Sequence, residues 1–305
     1  MADGAMPSSA LTAPDRPMVV RRGRFRVRAL LENRIGFVGA VIIVLEILVA
    51  LLAPVLSPHD PIEQDIAHRL TPPGWIANGT WRYPLGTDQL GRDILSRIIY
   101  GSRVSLLVGF LSVAISLPLG VLVGLTAGYF GGKLDDLMMR IADTQLAFPF
   151  ILLAITIVGV LGPTPRNVIL ILGVGGWVVY ARITRGQVLS LKEKDFIEAA
   201  RGLGLSHMRM LSRHIFPNTL TPLIVVATFA VAQMILLESS LSFLGLGIQP
   251  PTPSWGGMLN EGRNYITLAW WLSTFPGAAI MVTVLGINFV GDWLRDVLDP
   301  RLMGA

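Results

Sequence analysis

The sequence lacks cysteine and has few charged residues. Of its 305 residues none is cysteine and only 15% are charged, whereas 52% are apolar. The absence of cysteine excludes a disulfide scaffold, thiolate metal sites and thiol catalysis. An ordinary globular chain carries roughly 25% charged residues. The scarcity of charge and a mean hydropathy of +0.60 therefore predict that a lipid bilayer surrounds much of the chain, and they argue against a soluble enzyme.

Histidine is also scarce, and the net charge is +5. The four histidines are scattered, so the sequence predicts no metal cluster: His59, His68, His207 and His214. A basic chain could bind nucleic acid, but here the arginines crowd beside the apolar runs. That placement is typical of membrane topology signals.

Six long apolar runs are present, which predicts an all-α membrane protein with six transmembrane helices. The predicted spans are 35–56, 104–126, 141–161, 168–183, 220–246 and 272–293. The first run would form about 33 Å of helix, which matches a bilayer and exceeds the apolar core of a secretory signal. No small-residue cleavage site follows it, so we expect an uncleaved span. A cleaved signal and an organellar transit peptide are the alternatives.

The basic segments assign sides to these spans. We expect a cytoplasmic tail over 1–34, a first helix over 35–56, an external loop over 57–103, a core with five transmembrane helices over 104–295 and a second cytoplasmic tail over 296–305. With six spans, the basic tail and the basic stretch 184–218 share the cytoplasmic side, in agreement with the positive-inside rule. Arg97 and Arg103, just outside the second span, are exceptions.

The most informative segment is Glu198-Ala-Ala-Arg-Gly-Leu-Gly204, followed after nine residues by His-Ile-Phe-Pro217-Asn218. Good helix formers precede Gly204, which can adopt the positive φ of a helix end. Ser206 can cap a second short helix that offers Met208, Met210 and Leu211, and Pro217 suits a helix start. A helix with apolar side chains that has nothing of its own chain to bury them against needs a groove on another protein. A plain loop and a DNA-binding helix-turn-helix are the alternatives.

The Glu-Ala-Ala pattern resembles the signature of the permease subunits of bacterial ABC-type importers. Residues that match it in identity and spacing are Glu198, Ala199, Ala200, Gly204 and Pro217. The His-Ile-Phe-Pro-Asn ending is similar to the dipeptide and oligopeptide (C-type) permease family. Further segments extend the likeness from about residue 32 to 302, and they begin at Tyr83, Ala127, Glu238 and Pro253.

The resemblance implies the type I ABC importer permease architecture and a role as half of the translocation pathway for peptides. It implies that Glu198, Ala199, Ala200, Gly204, Met208, Pro217 and Asn218 couple the chain to ATPase subunits. Implied partners are a homologous second permease, two ATPase subunits, an external solute-binding protein, a peptide substrate and the bilayer of the bacterial inner membrane, with no nucleic acid. Other cargo, namely nickel, glutathione or opine-like compounds, and a secondary transporter remain alternatives.

Several polar or irregular sites inside or beside the spans invite functional hypotheses. Polar groups inside spans are costly, so Gln233, Glu238 and Asn288 could line a hydrated pathway, with plain interhelical hydrogen bonds as the alternative. Trp255, Gly256 and Gly257 could form an outer gate in a re-entrant loop, or tryptophans could simply anchor at the interface. In the external loop, Asp88, Arg92 and Asp93 could form a structural salt bridge or help to receive substrate.

The sequence also lacks a phosphate-binding loop. Its only Gly-Lys pair, Gly132-Lys133, is followed by Leu134 and lacks the earlier glycine at the required spacing. No catalytic constellation stands out, so we predict that the chain is not an enzyme and holds no cofactor or metal. ATP and Mg²⁺ would bind the partner ATPase subunits.

Overall fold

The computed structural model describes residues 33–298. The predicted tails over 1–34 and 296–305 therefore lie almost wholly outside the described residues. The α-helices are α1 (Arg34–Leu51), α2 (Ala53–Leu56), α3 (Ile94–Phe130), α4 (Gly132–Leu146), α5 (Phe150–Leu161), α6 (Pro165–Gly175), α7 (Trp177–Lys192), α8 (Asp195–Gly202), α9 (His207–Arg209), α10 (Phe216–Phe243), α11 (Trp255–Gly262) and α12 (Trp271–Leu298). A π-helical segment, Met210–Ile215, joins α9 to α10.

The all-α prediction is confirmed for the part of the chain that the structure describes. Five helical stretches are long and apolar enough to cross a membrane: α1, α3, α6 with α7, α9 through α10, and α12. A sixth exists if α4 and α5 together count as one broken span. Between residues 33 and 298 the only β feature is an isolated antiparallel bridge between Thr87 and Asp93.

Several predicted boundaries differ from the structure. Helix α3 begins at Ile94, so the end of the predicted external loop is already helical. The predicted third span is interrupted at residues 147–149, where α4 and α5 meet at 85°. Helix α5 has 12 residues, about 18 Å, and cannot cross a hydrocarbon core of about 30 Å alone. The predicted fourth span is longer than expected, because the helix continues through the glycines from Pro165 to Lys192.

Helix α3 is the central element, and small residues let α7 lie directly against it. A Cβ atom at Gly120 would meet the Trp177 carbonyl oxygen at 2.3 Å, and one at Gly124 would meet the Ala181 carbonyl oxygen at 2.4 Å. Glycines spaced four apart are typical of close helix contacts in membranes. This contact fixes the end of α7 beside the end of α3, which is where α8 begins.

Helix α1 also packs on α12 through glycines. Cβ atoms at Gly36 and Gly39 would meet Trp293 and Phe289 at 2.5 and 2.6 Å. Most of the other side of α1 is exposed apolar surface, including Val44 and Leu45, each 55% exposed. Such a surface suits contact with lipid.

Candidate functional site

The segment 195–217, which we call the E-A-A corner, begins with the amphipathic helix α8. Ile197 and Ala200, three residues apart, are buried against the chain itself. They join Val188 from α7, Tyr129 from α3 and Met210 from the π segment in one apolar cluster. The expectation that the helix carrying Met208, Met210 and Leu211 buries nothing against its own chain is wrong for Met210, which is buried in this cluster.

A glycine ends α8. Gly204 has φ +74°, so the predicted positive φ is confirmed. Its N–H donates to the Arg201 carbonyl at 3.0 Å, and the Leu205 N–H donates to the Ala200 carbonyl at 3.3 Å. These two bonds form a Schellman motif, which favours glycine because a Cβ atom is disfavoured at this φ. The turn thus pairs the carbonyls of Ala200 and Arg201 near the end of α8.

The outer face of α8 is apolar and uncovered. Phe196, Ala199 and Leu203 share this face at helical spacing. Phe196 and Leu203 are 47% and 82% exposed, and Met208 beyond the turn is 76% exposed. Glu198 is also exposed on α8. The corner thus presents apolar side chains and a carboxylate outside the helical bundle.

The E-A-A corner rests on the C-terminal end of α3. Lys192 Nζ donates to the carbonyl oxygens of Gly128 and Tyr129 at 3.3 and 3.0 Å, which satisfies two terminal carbonyls of α3. The Tyr129 hydroxyl lies 2.8 Å from His207 Nδ1. The contact with His207 couples the corner to α3, and the contacts of Lys192 hold the end of α7, just before the corner, at the same place.

The second helix of the corner differs from the prediction. Helix α9, the π segment and α10 form one continuous helical stretch, His207–Phe243. The Ser206 side chain makes no capping hydrogen bond, and Met210 is buried, so both details were wrong. Pro217 and Asn218 are exposed near the start of α10, where the pattern changes from π to α, and Asn218 Nδ2 donates to the His214 carbonyl at 2.6 Å. A π segment inside a long helix often marks a functional position.

The structure does not bring the three predicted pathway residues together. Glu238 is fully buried, and the Ser242 hydroxyl donates to its Oε1 at 2.7 Å. Gln233 is exposed and Asn288 half-buried. Glu238 follows Gln233 by five positions, so the two side chains point about 140° apart around α10. Glu238 lies in the interior of the chain, so we no longer assign it to the predicted pathway.

The predicted outer gate is a packed helix. Trp255 is fully buried and its Nε1 donates to the Ile98 carbonyl at 3.0 Å, so interfacial anchoring by this tryptophan is wrong. The Ser254 hydroxyl caps α11 by accepting from the Gly257 N–H at 3.1 Å. A Cβ atom at Gly256 would meet Ser239 Cα at 2.5 Å, so α11 lies against α10.

Four charged residues near the N-terminal end of α3 form what we call the ion cluster: Asp88, Arg92, Arg97 and Glu261. Arg92 Nε and Nη2 lie 2.6 Å from Asp88 Oδ2 and 2.8 Å from Glu261 Oε2. Arg97 Nη1 pairs with Asp88 as well and lies 2.7 Å from Glu261 Oε2. Two positive and two negative charges compensate each other, and Asp88 and both arginines are buried. The salt-bridge interpretation of this loop is the one that its geometry supports.

Asp93 has a different role from Asp88. Its carboxylate caps α3 by accepting from the Ser96 N–H at 3.0 Å. Glu261 and Arg97 were not predicted as partners of this loop. The only signal in the sequence was the unusual position of Arg97, a positive charge at the wrong end of a span.

A second polar contact in the loop involves Asp65, His68 and Tyr83. Asp65 Oδ2 lies 2.7 Å from His68 Nδ1 and accepts from the Tyr83 hydroxyl at 3.1 Å. The hydrogen bond to His68 holds the pKa of Asp65 below its usual value. Burial, followed by the hydrogen bond to Asp65, raises the pKa of Tyr83.

Comparison with known proteins places this geometry in a family. Residues 120–304 match the model for the inner-membrane component of binding-protein-dependent transport systems, and residues 25–73 match the N-terminal transmembrane domain of oligopeptide transport permease C. The chain belongs to this family of transport permeases. Its fold, with the E-A-A corner at one end of α3, is that of a type I ABC importer permease.

Similar proteins carry peptide-transport names. The di/tripeptide transport permease DppC of Pseudomonas aeruginosa is 44% identical over 90% of both chains. The dipeptide transport permease DppC of Escherichia coli is 46% identical over 89% of this chain and 90% of its own. Among solved structures, an inward-facing methionine ABC transporter aligns with a TM-score of 0.54 and 21% identity, covering 68% of this chain and 98% of its own. An amino acid ABC transporter aligns with a TM-score of 0.53 and 16% identity, covering 67% of this chain and 94% of its own.

Proposed function

We propose that this chain forms half of the translocation pathway for di- and oligopeptides in an ABC importer of the bacterial inner membrane. Support for the cargo comes from relatives that are named as dipeptide or di/tripeptide permeases and align over about nine tenths of the chain. The remaining half of the pathway would come from a homologous permease. An external solute-binding protein would deliver the peptide.

The orientation follows from the basic residues. The E-A-A corner and both chain ends lie on the cytoplasmic side in this proposal, and loop 57–93 lies outside. About 48 Å of helix separates Arg97 from Tyr129 along α3, which is enough to place the ion cluster and the E-A-A corner on opposite sides of a bilayer.

Coupling to ATP hydrolysis would use the E-A-A corner as a docking surface. Phe196, Leu203 and Met208 would enter an apolar groove on an ATPase subunit, and Glu198 would pair with a basic residue of that groove. ATP and Mg²⁺ would bind the two ATPase subunits, because this sequence contains no phosphate-binding loop.

The continuity of the helix explains how movement would travel. Because His207–Phe243 is one helical stretch, a displacement of Met208 by the ATPase moves the cytoplasmic end of α10 directly. Gly204 would let α8 change its angle against that stretch. Closure of the ATPase pair would thus rock α10 and its neighbours toward an outward-open state, and hydrolysis would allow return.

The observation that carries the proposal is the uncovered apolar face of α8 on a chain of this family. The chain would be expressed with its genomic neighbours and purified through a tag on this subunit. We expect vanadate-sensitive ATPase activity to co-purify and dipeptide uptake to appear on reconstitution into liposomes. Glu198→Arg should abolish uptake and leave membrane insertion intact. A subunit that purifies without ATPase activity would favour the secondary transporter instead.

Cargo is tested separately from coupling. Reconstituted importer with its binding protein would be offered a labelled dipeptide, glutathione and Ni²⁺ in turn. Uptake of the dipeptide alone supports the proposal. ATP-dependent uptake of glutathione or Ni²⁺ in its place would replace the cargo and leave the permease role standing.

A further inference from the structure

A carboxyl group is buried where three helices meet. Glu238 lies five residues before the end of α10 and is fully buried. The Ser242 hydroxyl donates to its Oε1 at 2.7 Å, and the Ser239 hydroxyl lies 3.4 Å from its Oε2. The hydroxyls of Ser105 on α3 and Ser254 at the start of α11 also approach the carboxyl group. One side chain therefore contacts residues of α3, α10 and the start of α11.

These four serines, which we call the serine cluster, provide the polar surroundings of Glu238. Among the described residues, the groups that approach its carboxyl group are hydroxyls, and no lysine or arginine is one of them. A buried carboxyl group without a cationic partner is costly unless hydrogen bonds satisfy its oxygens. The serine cluster supplies these bonds, so Glu238 and the cluster depend on each other.

Two members of the serine cluster also hold backbone groups. The Ser254 hydroxyl accepts from the Gly257 N–H at 3.1 Å and so caps α11, and the Ser242 hydroxyl accepts from the Ile248 N–H at 3.1 Å. A serine hydroxyl has one proton and two acceptor sites, so accepting these bonds leaves its proton free for a carboxyl oxygen. Glu238 thus orients the hydroxyl that begins α11 and the hydroxyl that holds the chain between α10 and α11.

The other end of α11 is held as well. Asn260 Nδ2 donates to the Ser242 carbonyl of α10 at 3.1 Å. Glu261 belongs to the ion cluster, where its Oε2 lies 2.7 Å from Arg97 Nη1 on α3. The start of α11 is therefore tied to α10 through Glu238, and its end is tied to both α10 and α3. A short helix that is held at both ends cannot swing against α10 as a separate gate.

We propose that Glu238 is a positioning residue that fastens α11 to α10, so that α11 and the outer end of α10 move as one unit when the importer opens outward. In the proposed function the ATPase subunits displace the cytoplasmic end of the continuous stretch His207–Phe243. Glu238 follows His207 by 31 positions, about 46 Å along the helix, so it passes that displacement to the outer side of the membrane. This inference rests on the proposed coupling through α10.

A covalent bridge between α10 and α11 tests the shared movement. The chain has no cysteine, so Leu244→Cys with Leu259→Cys introduces its only two thiols. Leu244 at the end of α10 and Leu259 on α11 line the same surface depression, so a short bifunctional thiosulfonate can bridge them in reconstituted importer. We expect uptake of L-alanyl-L-alanine to be the same after bridging as after a monofunctional thiosulfonate on the same variant. Uptake that falls only on bridging would show that α11 moves against α10.

Substitution of Glu238 tests whether its carboxyl group provides the fastening. Glu238→Met keeps the length of the side chain and removes both oxygens, and Leu241→Met, at a buried position three residues later, is the matched control. We expect dialanine uptake to fall about tenfold in Glu238→Met, equivalent to about 1.4 kcal/mol, and to stay near the parent value in the control. When Glu238→Met is combined with the two cysteines, the bridge should restore uptake, because it replaces the lost fastening.

The outcomes separate this inference from the proposed function. Absence of dialanine uptake by the parent importer would overturn the proposed peptide transport itself. Uptake by the parent combined with normal uptake by Glu238→Met, with a loss that the bridge does not restore, or with inhibition by the bridge alone would overturn only the role of Glu238. A residue that serves folding alone gives the second of these results, because a bridge on the assembled importer does not repair a misfolded chain.

Discussion

The two ends of α3 differ in whether the side chains around them find partners within the chain. At the N-terminal end, the ion cluster pairs two arginines with two carboxylates from segments as far apart as residues 88 and 261, and each charge has a partner within the chain. At the C-terminal end, the E-A-A corner buries one face of α8 and leaves Leu203 and Met208 82% and 76% exposed. The first region is complete by itself, whereas the second presents a surface that another protein can cover.

This difference predicts which substitutions damage the fold and which damage coupling. Changes in the ion cluster should lower the stability of the chain, since they leave charges buried without partners. Changes on the outer face of α8 should leave the chain folded and lower only its interaction with the ATPase subunits.

The largest effect is expected from Asp88→Ala. It leaves Arg92 and Arg97 with Glu261 as their remaining acidic partner, and breaking a buried ion pair in this way costs about 3–5 kcal/mol. Thermal unfolding of the purified subunit in detergent should show a clear fall in Tm. The control is Glu63→Ala, which removes an exposed carboxylate from the same loop. Equal Tm values for the two variants would show that the ion cluster does not hold the outer end together.

The next largest effect is expected from Gly204→Val. A β-branched residue at φ +74° costs roughly 1–2 kcal/mol, which shifts the conformational equilibrium of the corner by about 5- to 30-fold. We expect peptide-stimulated ATPase activity of the importer to fall by a similar factor while the Tm of the subunit changes little.

Gly202→Val is the matched control for that variant. Gly202 lies two residues earlier in the same corner, is helical, and has open space around an added Cβ atom. Comparable losses of activity in both glycine variants would mean that bulk at the surface, rather than the positive φ of Gly204, disturbs coupling.

A smaller effect is expected from Leu203→Ala. The side chain contributes little to the fold because it is 82% exposed, whereas each of its CH₂ groups that a partner covers contributes about 0.8 kcal/mol to docking. Removing most of that contact should weaken retention of the ATPase subunits during purification several-fold. Val55→Ala alters a side chain that is 81% exposed at the far end of the first span. If both variants retain the ATPases equally, Leu203 does not belong to the docking surface.

Local patterns could be predicted from the sequence, and distant pairings could not. Gly204 was predicted because a glycine after a run of helix formers is itself a signal for a Schellman turn. The partner of Arg92 lies 169 positions away at Glu261, and a single sequence contains nothing that pairs them. The break at residues 147–149 was missed because the apolar run 141–161 continues through Pro149, so hydropathy does not register the bend.

The same limit applies to residues that stood out in the sequence but whose surroundings were predicted wrongly. Glu238 stands out in the sequence as a charge within a span, but only the fold shows that Ser242 and the packed helix α11 enclose it. The pairing of Asp143 with Arg182 also depends on the fold, because it requires α4 to lie beside α7.

The smallest effect is expected at Tyr83, in the outer loop that the ion cluster anchors. Tyr83→Phe removes the hydrogen bond to Asp65, a single bond to a solvent-accessible carboxylate, so its contribution to the free energy of unfolding is small. Because the pKa of Tyr83 is raised in the folded state, the stability that its neutral hydroxyl provides is fully present below pH 10 and is lost as the pH rises above that value. Between pH 9 and 11 the Tm of the parent should therefore fall more steeply than that of Tyr83→Phe. Parallel curves would show that the hydroxyl does not support the loop, and that Asp65 relies on His68 alone.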